Sequence, residues 1–341
     1  MMDRVVIIAE AGVNHNGEIE KAIELIDVAA DAGADFVKFQ SFKAERLVNI
    51  NAKKASYQIT NSKGEKDTQF EMLRKLEIGD DWYPILIHRC KERGIQFLST
   101  GFDEISIDLL ENLNIPFHKI PSGEITNKPF LQHIARIGKD IVLSTGMANL
   151  KEVKAALDVI YLEGIKKSQV TILHCNTEYP TPMEDVNLLA MKQMAKDLKV
   201  KVGYSDHTLG IEVPIAAVAL GARVIEKHFT LNRNLPGPDH AASLEPAELK
   251  SMVNAIRNIE KAISGNGIKE ASNSEKKNLG VVRKSLHYNT DLIKGDVIQK
   301  NHLAILRPGT GISPMLYEEI IGKKLCINVF KNKIIKITDF L

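Results

Sequence analysis

The chain has 341 residues, 44% of them hydrophobic, and a formal net charge of +2. That length leaves room for one large domain of about 250 residues and a smaller one, and the near-neutral balance gives no basis for nucleic-acid binding. Three scattered cysteines, Cys90, Cys175 and Cys326, argue against a disulfide scaffold. With no signal-peptide pattern and no bilayer-length apolar run, a cytoplasmic protein without membrane contact is expected.

From residue 5 to about 265, short apolar runs alternate with amphipathic segments. The predicted strands are Val5–Ala9, Phe36–Phe39, Gln96–Leu98, Phe117–Ile120, Ile141–Leu143, Val170–Leu173, Val202–Tyr204 and Arg223–Ile225. They are rich in Val, Ile, Leu and Phe, as strands buried on both faces are. The first helical segment places Ile19, Ile23, Ile26 and Ala30 on one face, with Gly33 as its stop. Asn149 and Glu152 have capping-box spacing, and the last helix starts after Pro246. Eight such units predict an α/β fold, a (β/α)8 barrel, with a doubly wound open sheet as the alternative. Residues 41–78 are too long for a plain connection and are expected to form a lid or dimer arm. The polar stretch 266–280 reads as a linker, and 281–341 as a small β-rich domain with β-like runs at Val281-Val282, Ser285-Leu286 and Ile334-Ile335.

Barrel enzymes carry their reacting groups on the C-terminal ends of the strands. Here those ends supply Glu10; Lys38 and Gln40; Ser99 and Thr100; Lys119, Ser122 and Glu124; Ser144 and Thr145; His174, Asn176, Thr177 and Tyr179; then Ser205, Asp206 and His207; and Glu226, Lys227 and His228. His207 and His228, on neighbouring strand ends, are candidate ligands for a divalent metal. Lys38 and Lys119, with the hydroxyls of Thr100, Ser122 and Ser144, suit an anionic, phosphate-bearing substrate. An alternative for Lys119 is a core lysine paired with Glu124. The rigid turn Pro236-Gly237-Pro238 presents Asp239 to the same rim.

These runs resemble the sialic acid synthase family. The resemblance lies in Ala9-Glu10-Ala11-Gly12-Val13-Asn14-His15-Asn16-Gly17, Val37-Lys38-Phe39-Gln40, Lys119-Ile120-Pro121-Ser122-Gly123-Glu124 and Ser144-Thr145-Gly146-Met147. It continues through His174 to Pro182, Gly203 to Thr208, Ile225 to Thr230 and Gly237-Pro238-Asp239. Arg307-Pro308-Gly309-Thr310-Gly311-Ile312 looks like the turn of that family's antifreeze-like (SAF) domain.

The resemblance implies a TIM barrel with a SAF domain in a domain-swapped homodimer. It also implies condensation of phosphoenolpyruvate with an N-acetylmannosamine-type sugar to give N-acetylneuraminate and phosphate, with Mn2+ or Mg2+ as cofactor. Parts of the chain are equally similar to legionaminic acid synthases, which use a 2,4-diacetamido-trideoxymannose; that acceptor is the alternative. By the same resemblance His207 and His228 hold the metal, and Glu10, Gln40 and Asp239 act at the reacting centre. Lys38, Thr100, Lys119, Ser122, Ser144, Tyr179 and Ser205 bind substrate. Asn176 or Thr177 meets phosphate, and Arg307 reaches the partner's site to contact the sugar's N-acyl group. A Schiff-base aldolase working through Lys38 or Lys119, and a non-catalytic sugar-binding protein, are the rival classes.

Overall fold

The computed structural model describes residues 4–61 and 67–340. Eight parallel strands, β1 (Val6–Gly12), β2 (Phe36–Ser41), β3 (Gln96–Gly101), β4 (His118–Ile120), β5 (Ile141–Ser144), β6 (Val170–His174), β7 (Lys201–Asp206) and β8 (Val224–His228), form one sheet. Its order is β3-β2-β1-β8-β7-β6-β5-β4, and β3 lies beside β4, so the sheet curls into a ring. Sequential neighbours with no crossover distinguish this barrel from a doubly wound sheet. All eight predicted strands exist, most of them one to three residues longer at the C-terminal end, where the chemistry-bearing residues sit.

Helices follow the strands: α1 (Ile19–Ala32); α2 (Ala44–Leu47), α3 (Ser56–Asn61) and α4 (Gln69–Lys75) in the long β2 connection; then α5 (Trp82–Arg93), α6 (Glu104–Asn112) and α7 (Lys128–Ile137). The series ends with α8 (Leu150–Leu162), α9 (Leu189–Leu198), α10 (Glu212–Ala219) and α11 (Pro246–Ala262). Gly33 ends α1 at φ 82°, a left-handed position that costs glycine nothing. The buried face of α1 is Ala22, Leu25, Ile26, Ala29 and Ala32, rotated from the predicted one. Small alanines let the helix sit close to the barrel, so the larger Ile23 is left half-buried at the edge. Asn149 caps α8 with the expected box, its side chain accepting from Lys151 and Glu152 amides. None of the helices among the described residues is long and apolar enough to cross a membrane.

The described residues of the 41–78 segment include the three short helices α2, α3 and α4. Thr68 and Glu71 form a capping box that starts α4. Met72 of that helix and Leu76 just past its end pack with Val13 and Phe42 into a small core of their own, joined by half-buried Leu47, Leu73 and Phe102. Part of the polar patch predicted at Asn61 to Asp67 lies outside the described residues.

The chain divides into two compact units, Met1–Gly265 and Asn266–Leu341. The second unit has an antiparallel pair, β9 (Ser285–Tyr288) and β10 (Leu303–Leu306), over a core of Leu286, Tyr288, Ile298, Leu325 and Ile335. The stretch read as linker holds the start of a helix, α12 (Asn273–Val282), capped by Ser272 with Glu275. Val281 and Val282 therefore end a helix and are not strand, because the capping box at Ser272 starts helical hydrogen bonding nine residues upstream of Val281. Ile334 makes only an isolated bridge with His287.

Candidate active site

A cavity of about 760 Å3 opens at the C-terminal ends of the barrel strands. Alternation along each strand decides what enters it. On β8, Glu226 and His228 face inward, and on β7 Ser205 does, with His207 just past the strand end. The intervening Asp206 and Lys227 do not line the cavity; they form a fully buried ion pair at 2.6 Å, and Thr208 adds a 2.9 Å hydrogen bond to Asp206. This outward pair ties the ends of β7 and β8 together and so fixes the spacing of the two histidines.

The His207 and His228 ring centroids are 5.3 Å apart. His207 Nδ1 is held by the carbonyl oxygen of Asn176, which leaves Nε2 as the acceptor nitrogen. His228 Nδ1 is buried without a hydrogen-bond partner, 3.7 Å from Asp239 Oδ2. Burial pushes the His207 pKa down to about 4 and lowers that of His228 well below its ordinary value, the second imidazole adding to the effect. Both rings are thus neutral, the form that binds a metal. Among the described residues no group of three or more His, Cys, Asp or Glu is arranged to hold an ion. Two neutral imidazoles alone fit a weakly caged ion whose remaining positions belong to water and substrate.

The floor is a charge network. Lys38 Nζ lies 2.6 Å from Glu10 Oε2, donates to Thr100 Oγ1 at 2.7 Å, and is 3.5 Å from Glu226 Oε2. Lys119 Nζ is 3.2 Å from Glu226 Oε1, which also accepts from Ser205 Oγ at 2.7 Å. Glu226, not Glu124, is therefore the partner of Lys119; Glu124 instead accepts from Asn127 at 2.6 Å. Burial alone would raise the Glu226 pKa, but Lys119, Lys38 and the Ser205 hydroxyl hold it far below the carboxylate range. Burial would lower the Lys38 pKa, yet Glu10 and Glu226 raise it, so the amine stays an ammonium. Glu10 is raised, chiefly by burial, with Glu226 adding to the shift and Lys38 opposing it. Asp239 is pushed up to about 7 by burial, reinforced by Glu10.

Hydroxyls complete the floor. Ser144 Oγ is buried without a partner, a donor with nothing yet to donate to. Ser122 Oγ accepts the Gly146 amide at 2.9 Å and lies 3.2 Å from Cys175 Sγ. Gln40 Nε2 donates to Glu10 Oε1 at 3.2 Å. Above the histidines, Tyr179 stacks on His207 with centroids 4.0 Å apart, and Tyr57 of α3 stacks on Tyr179 at 4.9 Å. Asn61, at the end of α3, donates to the carbonyls of Tyr179 and Pro238 at 3.1 and 2.8 Å. Helix α3 is thereby tied to the two loops that carry Tyr179 and Asp239.

Glu10, Lys38, Gln40, Thr100, Lys119, Ser122, Ser144, Thr177, Tyr179, Ser205, His207, His228 and Asp239 all line this cavity. Asn176, also expected there, does not. The side chain of Asn176 accepts from the Glu178 amide at 2.7 Å, shaping the turn, and only its carbonyl acts on the site, through His207. Of the pair, Thr177 is the one that faces the cavity. Arg307 belongs to the second unit, where it is exposed. Other strand-end groups turn away: Ser99 bonds Ser41 at 2.7 Å, and His174 bonds the carbonyl of Val186 at 3.0 Å. Thr145 donates to the carbonyl of Leu173 at 2.9 Å. Sequence reasoning put Glu226 at the strand ends and Tyr57 in the 41–78 segment but gave neither a role in the site. Period-two alternation from His228 was the available signal for Glu226; for Tyr57 there was none.

The NeuB family model matches residues 25–269. Over 335 residues the chain is 52% identical to the N,N'-diacetyllegionaminic acid synthase of Campylobacter jejuni, with 98% of this chain and 100% of that one covered. Over 325 residues it is 48% identical to the protein of that name from Legionella pneumophila, with 95% and 91% covered. A crystal structure of N-acetylneuraminic acid (sialic acid) synthetase from Leptospira borgpetersenii is similar with a TM-score of 0.70 at 34% identity, over 81% of this chain and 90% of that one.

Proposed function

The chain belongs to the NeuB family, and from that premise we propose that it condenses phosphoenolpyruvate with an N-acylated mannosamine-type sugar to give a nine-carbon α-keto acid and phosphate. Of the two acceptors, the diacetamido-trideoxymannose has the better support, since the relatives at 52% and 48% identity are both diacetyllegionaminic acid synthases. N-acetylmannosamine, the first expectation from sequence, is the second candidate. The observation that carries the reaction is the single cavity in which two neutral imidazoles face two lysines and a partnerless serine hydroxyl.

Lys38, Lys119, Thr100, Ser122 and Ser144 supply the cations and donors for the phosphate and carboxylate of phosphoenolpyruvate. Two lysines stand there among Glu226, which is held ionised, and Glu10 and Asp239, whose pKa values are raised. His207 and His228, neutral and on adjoining strand ends, would hold a divalent cation, Mn2+ or Mg2+. Bound there, it would polarise the acceptor's aldehyde as a Lewis acid. The enol carbon forms the new bond to the aldehyde carbon, and water adds at the adjacent carbon, from which the C–O bond to phosphate then breaks. Glu10, buried beside Lys38, would in its ionised form stabilise the positive charge that develops before water adds. Asp239, with a pKa of about 7, holds or releases a proton near a substrate hydroxyl. A Schiff-base route through Lys38 is disfavoured because Glu10 and Glu226 keep that amine protonated.

The second unit would serve as the antifreeze-like domain of a domain-swapped homodimer, with exposed Arg307 contacting the acceptor in the partner's site. The test of the reaction is phosphate release from phosphoenolpyruvate with each sugar, with and without Mn2+ after chelation. His207→Ala and His228→Ala are expected to abolish turnover and calorimetric Mn2+ binding while keeping the circular dichroism spectrum. Full activity in either variant counts against the metal role.

A further inference from the structure

The turn that follows β1 carries two asparagines, Asn14 and Asn16, whose side chains do not line the cavity. Both reach instead into the 236–243 segment, which presents Asp239. Asn16 Nδ2 donates to the carbonyl of Pro236 at 3.0 Å, and its Oδ1 lies 3.0 Å from His240 Nε2. One side-chain amide thus holds the chain three residues before Asp239 and one residue after it. His240 is buried, and its Nδ1 is 2.7 Å from Thr230 Oγ1, so both ring nitrogens are engaged. Asn14 Nδ2 donates to the carbonyl of Phe229 at 2.8 Å and to Ser243 Oγ at 3.0 Å. Ser243 Oγ in turn donates to the carbonyl of Asp239 itself at 2.7 Å. At Gly237 the chain passes so close over this network that a Cβ would lie 2.7 Å from His240 Cδ2 and 3.0 Å from Asn16 Oδ1.

The 3.7 Å from Asp239 Oδ2 to His228 Nδ1 is too long for a hydrogen bond to hold the carboxylate. Its place is set by the backbone that carries it, and that backbone is fastened to the turn at the end of β1, the strand that carries Glu10. We propose that Asn14 and Asn16 are positioning residues: through Pro236, His240 and Ser243 they hold the Asp239 carboxylate in register with Glu10 and His228. The inference rests on the proposed condensation and adds which side chains keep its carboxylates aligned. Misplacing a reacting group by about 1 Å costs about 100-fold in rate, so small movements of this segment register in kcat.

Asn16 has φ 52°, a left-handed position that glycine adopts without strain, so Asn16→Gly deletes the amide and leaves the turn its conformation. Ser243→Ala removes the bond to the Asp239 carbonyl independently. The two variants guard against one failing to fold, which a thermal melt shows. Each is measured alone and combined with Asp239→Asn, by phosphate release with the diacetamido-trideoxymannose as acceptor. Alone, each is expected to lower kcat tenfold or more, with calorimetric Mn2+ affinity and the KM for phosphoenolpyruvate within twofold of wild type. Added to Asp239→Asn, each is expected to cost less than twofold, because the group it positions is already gone. A purely structural role costs the same in both backgrounds. A crystal structure of Asn16→Gly reads the same relationship without turnover, and decides it where Asp239→Asn is too slow to compare: the Asp239 carboxylate is expected to move by about 1 Å. A kcat within twofold of wild type in both folded variants, equal losses in the two backgrounds, or an unmoved carboxylate overturns the positioning role while leaving the condensation standing. No phosphate release by wild type with any acceptor overturns the condensation and this role with it.

Discussion

Glu226 stands between Lys38 and Lys119, 3.5 Å from one ammonium and 3.2 Å from the other, and all three side chains are almost fully buried. Removing the carboxylate leaves Lys119 without its ion-pair partner and Lys38 with Glu10 alone. Glu226→Gln is therefore expected to destabilise the barrel by about 3 kcal/mol, the cost of uncompensated buried charge. In the proposed reaction phosphoenolpyruvate brings anionic oxygens to the same lysines, so it should restore more stability to Glu226→Gln than to wild type. Urea unfolding with and without the ligand measures both quantities.

Asn61 ties the lid to the site through two hydrogen bonds, to the carbonyls of Tyr179 and Pro238. At about 1 kcal/mol each, their loss in Asn61→Ala is worth up to about 2 kcal/mol of lid closure. Acceptor kcat/KM is expected to fall by up to about 30-fold, while the KM for phosphoenolpyruvate, whose groups lie on the floor, stays within about twofold. Steady-state kinetics with each substrate varied in turn separates the two. A matching rise in both KM values would place Asn61 in general stability instead.

The strand-end residues were legible in sequence because a parallel barrel has simple geometry. Short apolar runs stop where polar groups begin, and those groups share one rim. Residues were harder to read where direction mattered more than position. Asp206 and Lys227 flank the histidines in sequence, yet alternation turns them outward into a pair with each other. Glu226, two residues before His228, is turned inward by the same alternation. Asn176 looked like a phosphate ligand, but its short amide side chain is used by its own turn, and its carbonyl does the positioning. Tyr57 reaches the site from a segment whose path depends on long-range packing of Met72 and Leu76 on Val13 and Phe42, which no local pattern encodes.

His15 should govern part of the acid limb of stability. It is fully buried beside Trp82, its Nδ1 accepts the Gly17 amide at 3.0 Å, and its Nε2 has no partner. Burial, with a smaller contribution from His240, lowers its pKa to about 4 from an unfolded value near 6.5. The neutral form is thus the native one. Its stabilising contribution is fully present above pH 6.5 and is lost as the pH falls from 6.5 to about 4. The loss amounts to roughly 3 kcal/mol at most. His15→Asn keeps an acceptor for Gly17 and cannot titrate. Its stability should therefore fall less steeply than that of wild type between pH 6.5 and 4, as denaturant midpoints across that range would show. Parallel curves would remove His15 as a contributor.

Gly12 ends β1 at φ +53° and sits where three site residues converge. A Cβ there would lie 3.3 Å from each of Asp239 Oδ2, Gln40 Nε2 and His228 Cε1. Gly12→Ala therefore meets two penalties of different kinds. The left-handed backbone costs about 1–2 kcal/mol of stability. The methyl also pushes against a carboxylate, an amide and an imidazole, each of which has to move by a few tenths of an ångström, and displacements of that order are felt strongly where reacting groups are held in register. Activity is thus expected to fall by about 100-fold or more, a larger effect than the stability change accounts for at temperatures where the variant remains folded. Single-turnover rates measured well below the melting temperature decide the matter. A rate close to wild type in a folded Gly12→Ala variant would mean that the three side chains yield freely and that their spacing is not set by the missing Cβ.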